Sequence, residues 1–239
     1  MDTKFFVLAL AMGCAINVNA AYTFSFYPGN ASIPDGNANG YQNSVTLADV
    51  PGAITDVNVT LGISGGFNGD LYVWLSHDSA LSVLLDRVGV SSANSVGYAN
   101  AGFGPGAGNV SFTLDDQAAQ DVHFYQSTPY LLNSGGQLTG RWQPDGRTID
   151  PASPPGLFDP APRPDKLVVF DGLNPNGQWT LYVADLSPGG VSALTSWGLQ
   201  IEVVPEPRVV NLAGLGCMLL LWRYRFDAAA PGLANLPSR

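Results

Sequence analysis

The chain is poor in cysteine, lysine, glutamate and histidine, and each shortage removes a class of explanation. Of 239 residues only two are cysteine, Cys14 and Cys217. Both fall in apolar stretches near the ends, so the 184 residues from 21 to 204 contain no disulfide, and their stability must come from a packed core. Basic residues are scarce in the same segment. Arg87, Arg141, Arg147, Arg163 and Lys166 face 15 aspartates and Glu202, a net charge of −11 that makes nucleic acid a poor partner. Imidazole is scarcer still, with His77 and His123 alone available as bases. Neither sits in a nucleophile motif such as Gly-x-Ser-x-Gly. A helical hydrophobic period is missing throughout the segment.

The ends carry addressing signals. Lys4 precedes the apolar stretch Phe5 to Ile16, and Val18-Asn19-Ala20 places small residues where a signal peptidase reads. Residues 1–20 therefore read as a secretory signal peptide cut between Ala20 and Ala21. Near the other end, Val204-Pro205-Glu206-Pro207 leads into the apolar run Val209 to Trp222 and then Arg223-Tyr224-Arg225. The prolines keep that handle extended and accessible. The arginines favour the cytoplasmic side and so leave the preceding residues outside. The apolar run is 14 residues long, interrupted by Asn211, whereas a span of hydrocarbon takes about 20. A short buried helix has the same length.

Pro205, Glu206 and Pro207, with the apolar run and Arg223 and Arg225, resemble the PEP-CTERM sorting signal of Gram-negative bacteria. The resemblance implies recognition of residues 205–225 by an exosortase, transient anchoring in the membrane, and export to the cell surface or extracellular matrix. Residues 226–239 continue past the point where tails of that family usually stop.

Between these signals the pattern is that of strands. In Thr55 to Ile63 every second residue is apolar, so Val57, Val59, Leu61 and Ile63 share a face, and Trp197, Leu199, Ile201 and Val203 repeat the arrangement. Asp70 to Leu75 and Trp179 to Ala184 follow Gly-rich turns, and Ser82 to Leu85 returns across a hairpin at His77-Asp78-Ser79. Short strands with turn punctuation predict an all-β, antiparallel jelly-roll-type sandwich. Residues 89–165 read as a long Gly- and Pro-rich insertion with one evident strand at Val110 to Leu114. Pro154 to Pro164 is expected to cross the surface as extended chain, anchored by Trp142 and Phe158.

Ile33-Pro34-Asp35, the strand ending at Ile63, Gly69-Asp70-Leu71, Gly177-Gln178-Trp179-Thr180-Leu181 and Ser196-Trp197-Gly198-Leu199 together resemble the P (homo B) domain of proprotein convertases over residues 33–203. The family is a galactose-binding-like jelly-roll sandwich that accompanies a subtilisin-like protease domain. That resemblance implies a non-catalytic companion module.

Candidate site residues follow from chemistry. The aspartate excess suits calcium, which takes oxygen ligands from short loop side chains, with Asp70, Asp115 and Asp116 as ligands. Aspartates also serve turns, which an all-β chain needs in number. His123, near Asp115, Asp116 and Asp121, is the other candidate metal group. Trp179 and Trp197 suit the core, and an exposed Tyr72 or Trp74 would suit a sugar. The expectation is a secreted or surface-anchored, non-catalytic module, a structural or binding component of the cell envelope or extracellular matrix, with polysaccharide or a surface protein as candidate partner. A carbohydrate-binding module is the first alternative. A hydrolase or a protease-associated domain is the second.

Overall fold

The computed structural model describes residues 19–104 and 111–204. The residues before Asn19, the Pro205-Glu206-Pro207 motif, Arg223, Arg225, the apolar helix expected over 209–222 and the 226–239 tail lie outside the described residues. None of the described helices is long and apolar enough to cross a membrane.

Period-two alternation builds the molecule. Its strands are β1 (Ala20–Phe26), β2 (Ala31–Ile33), β3 (Asn37–Leu47), β4 (Ala53–Gly65), β5 (Leu71–His77), β6 (Ala80–Asp86), β7 (Gly102–Phe103), β8 (Phe112–Leu114), β9 (Gly140–Trp142), β10 (Gly177–Asp185) and β11 (Ser192–Val204). They form two sheets. The larger runs β1-β11-β4-β8-β9, with β2 also on β11 and β7 also on β4; the smaller runs β3-β10-β5-β6. The chain passes repeatedly from one sheet to the other, as in β3 to β4, β4 to β5 and β10 to β11, so neither sheet forms without its partner. This is the all-β sandwich that the alternation predicts.

The two sheets bury the faces expected of them. Val57, Val59, Leu61 and Ile63 of β4 lie opposite Ile201, Leu199, Trp197 and Leu194 of β11 in the ladder, and all are buried. Trp179 and Trp197 are buried between the sheets, and each indole N–H has an acceptor: Pro175 O at 2.9 Å and Asn43 Oδ1 at 2.7 Å. A buried indole needs such a partner. The hairpin from β5 to β6 turns on Asp78-Ser79, with Asp78 at φ 52°, a left-handed conformation that aspartate tolerates.

Two expectations are corrected. The sandwich is not antiparallel throughout, because β8 and β9 run parallel, with Phe112, Thr113 and Leu114 opposite Gly140, Arg141 and Trp142. The proline stretch does not lie extended either. Pro155–Leu157 forms a 3-10 turn, and Phe158 behind it is fully buried. Both departures occur within residues 89–165, a stretch that contributes β7, β8 and β9 to the larger sheet and Phe103, Phe112, Leu138 and Trp142 to the core. Its later part also satisfies the open edge of the smaller sheet. Val83 N donates to Asp165 O, while Gly146 N and Asp145 N donate to Val83 O and Leu84 O. An edge strand left unpaired would template aggregation.

Strand β1 opens at the expected signal cleavage point, with Ala20 opposite Val203 and Ala21 opposite Glu202 in β11. The first strand thus begins where the last one ends. The sandwich lies within a unit that closes at Pro205.

Candidate functional site

Both histidines are built into the fold. His77 ends β5 on its inward side and stacks on Trp179, with ring centroids 4.1 Å apart and 3° between planes. Its Nδ1 lies 3.0 Å from Gln178 O and its Nε2 2.7 Å from Asn174 O. A carbonyl oxygen only accepts, so whichever nitrogen carries a proton donates it to the carbonyl it faces, and a carbonyl covers each nitrogen. Asp78, 3.8 Å from Nε2, is exposed, and among the described residues no serine hydrogen-bonds to the ring.

His123 lies in the 3-10 segment Val122–Ser127, where the side chain of Asp121 caps its N–H at 2.9 Å. The sequence places it with Asp115, Asp116 and Asp121. The fold instead joins it to Asp145, with Nδ1 at 2.6 Å from Oδ2, while Nε2 faces Val90 O at 2.8 Å. Asp145 also accepts from Arg147 Nη1 at 2.8 Å; Arg147 continues to Asp121 at 3.2 Å, and Arg163 reaches Asp121 at 3.1 Å. Burial alone would raise the Asp145 carboxyl, but the charge and hydrogen bond of His123, then those of Arg147, hold it below the usual carboxylate range. A buried ion pair of this kind is strongly missed when one partner is removed, because the other charge is left without compensation. The network therefore joins distant parts of the long loop, and Asp86 N of β6 donates to Asp145 Oδ2 at 3.3 Å, which ties it to the sandwich. Its one readable trace was the spacing in Pro144-Asp145-Gly146-Arg147, which sets Asp145 and Arg147 two residues apart.

Asp86 lies beside this network and is not satisfied by it. It is fully buried at the end of β6, and among the described residues neither carboxyl oxygen has a hydrogen-bond partner. Burial, followed by the charge of Asp145, pushes it up to about 8. The sequence carried no signal for this residue.

The three aspartates expected to share calcium are not brought together. Asp70 ends the 3-10 turn Asn68–Asp70 and is buried. Burial raises it, a hydrogen bond from Ser187 and the charge of Arg87 lower it, and the further acid acting on it is Asp35. Asp115, buried, pairs with Arg141 and accepts from Gln117 N at 2.7 Å. Asp116 uses both oxygens to accept from Leu167 N at 3.1 Å and Val168 N at 2.7 Å. Consecutive residues beyond a strand diverge in this way, and among the described residues no three histidine, cysteine or acidic side chains form a metal-holding group. The trio does not fit one calcium ion.

Asp70 instead lines a cleft of about 320 Å³ with Phe67, Arg87, Val96, Tyr98 and Pro188. Gly69 at its edge is needed for close approach, since a Cβ there would come within 2.5 Å of Val96 O and 2.7 Å of Gly97 Cα. The aromatic residues proposed for a sugar pack on one another. Trp74 stacks on Tyr182 at 4.9 Å and 12°, Tyr72 meets Tyr182 edge-on at 6.4 Å, and Tyr182 lies over Gly40, where a Cβ would reach within 2.8 Å of the ring. Both faces of Tyr182 are used, and Trp74 gives one of its own.

No family model and no curated protein matches the chain. It is similar to a solved structure of the Aeromonas sobria serine protease in complex with the chaperone ORF2, at 16% identity and a TM-score of 0.39, over 78% of this chain and 27% of that one. It is similar also to a structure of the A. sobria serine protease, at 15% identity and a TM-score of 0.38, with the same coverage. The chain thus spans 27% of the length of the chain in each of these two structures.

Proposed function

We propose that the chain is a non-catalytic β-sandwich binding module of the P-domain type, exported through its N-terminal signal and held at the cell surface by way of its exosortase-directed C-terminal segment. The observation that supports it most is the state of the two histidines. Every ring nitrogen faces an acceptor, at 3.0 and 2.7 Å in His77 and 2.6 and 2.8 Å in His123, and both side chains are buried. A general base needs a bare nitrogen within reach of substrate. Asp121, Asp145, Arg147 and Arg163 are likewise engaged with one another and with His123 in the ion-pair network of the long loop. The exposed surface is left for binding.

The test is chemical. The full-length chain, purified in detergent, is treated with a serine-directed fluorophosphonate and incubated with casein and dibasic peptides. No labelling and no cleavage are expected. Stoichiometric labelling of one serine, with peptide release that disappears when that serine is replaced by alanine, would overturn the reading.

A further inference from the structure

The outer face of the larger sheet carries a trough of about 490 Å³ whose lining is uncharged and mixes hydroxyl, amide and apolar groups. The side chains that alternate away from the core there are Thr23 and Ser25 of β1, Thr60 of β4, and Ser196 and Gln200 of β11, with Tyr27 immediately after β1. Ser25 lies opposite Gly198 in the ladder, and Gly198 lies opposite Thr60. Glycine is required at the centre. A Cβ on Gly198 would come within 2.7 Å of both Phe24 O and Thr60 Oγ1, so a side chain there would crowd the flanking strands, and the apolar part of the lining comes from Phe24, Leu61, Trp197 and Leu199.

Three properties define what fits. No charged residue lines the trough, although the segment around it carries sixteen acids and five bases. An ionic ligand would lose water there and gain no counter-charge, and an anionic one would also meet the acidic excess of the domain. Next, the hydroxyls of Thr23, Ser25, Thr60 and Ser196 and the amide of Gln200 have no hydrogen-bond partner among the described residues. Each both donates and accepts, as the hydroxyls of a sugar do. Finally, the Tyr27 ring is 78% exposed at the rim, an apolar plate for the C–H face of a pyranose ring. A peptide strand is a poorer occupant. The trough is on a sheet face, where the backbone groups between β1, β11 and β4 are already paired in the ladders, so a peptide lying across the face gains no ladder hydrogen bonds from them.

We propose that this trough binds a neutral polysaccharide chain. The assignment rests on the reading of the protein as a binding module and supplies its ligand class and place. Affinity electrophoresis of the full-length chain in detergent tests it, through native gels containing barley β-glucan, galactomannan or soluble starch, with alginate as the anionic comparison. Retardation is expected in a neutral gel and not in alginate. Tyr27→Ala and Thr23→Arg, both at exposed positions, are each expected to weaken it by about tenfold or more. Absence of retardation in every neutral gel, retardation by alginate alone, or retardation unchanged in both variants would overturn the trough assignment and leave the non-catalytic reading standing. Reducing ends are measured in the same mixtures and are expected to stay constant. A rise that is lost in both variants would support the trough and overturn the non-catalytic reading instead.

Discussion

His123 Nδ1 lies 2.6 Å from Asp145 Oδ2, with both side chains fully buried, and this one contact joins two parts of the long loop that are 22 residues apart. It places an imidazole and a carboxylate in the geometry of a catalytic dyad. The Val90 carbonyl at Nε2 then closes the position a nucleophile would need. A pairing that reads as chemistry in isolation is a clamp in context.

Breaking that clamp is costly. Asp145→Ala leaves Arg147 buried without its nearest counter-charge, and the expected loss is about 3–5 kcal/mol in urea unfolding. A loss below about 1 kcal/mol would mean that the loop is held by its apolar anchors alone.

The pH dependence of stability follows from Asp86 and Asp145, which act in opposite directions. Asp86 is raised to about 8 in the fold from 3.8, so between these values the unfolded chain ionises while the folded one does not. Stability therefore falls as pH rises through that window and levels off above it. Asp145 is depressed, so its contribution is present above 3.8 and is lost as pH falls through its folded value. The charges facing Asp86 are those of Asp145, Arg147, Arg87 and Asp150. Asp86→Asn is expected to match the wild type near pH 4 and to exceed it by a few kcal/mol at pH 8 to 9, at about 1.4 kcal/mol for each unit of the shift. Equal pH profiles for the two proteins would contradict this.

Residues 89–165 should behave as core, not as appended loop. Phe112→Ala on β8 is expected to cost about 3–5 kcal/mol, comparable with Leu199→Ala on β11 at about 2–5 kcal/mol. Amide exchange should protect Phe112 to Leu114 along with β4. Fast exchange there, with a near-neutral Phe112→Ala, would return the stretch to the status of a loop.

Processing is the expectation tied to Pro205-Glu206-Pro207. In a host with an exosortase, mass spectrometry of the surface fraction should find protein without residues 226–239, and replacing Glu206 should leave the precursor in the membrane. Recovery of surface protein ending at Arg239 would contradict it.

How much of this was legible depends on how local each cause is. Alternation is a property of neighbouring residues, so Val57 to Ile63 and Trp197 to Val203 declared both their strands and their buried faces. The Asp78-Ser79 turn was equally plain. Strand β3 was not, because its inward Tyr41, Val45 and Leu47 are interleaved with asparagines that read as loop. The parallel β8–β9 pair was hidden for a different reason: each strand is three residues long, too short for a period to register.

The candidate sites divide along the same line. Residue type and spacing by themselves determined that 21–204 has no disulfide, few bases and an excess of aspartate, because these are counts. Which aspartate meets which partner was decided only by tertiary structure. Asp115 and Asp116 are adjacent in the chain, yet one pairs with Arg141 and the other caps the turn at Leu167, since successive side chains point apart. His123 and Asp145, and the trough around Gly198, exist only because distant strands are in register, and register is a property of the folded sheets.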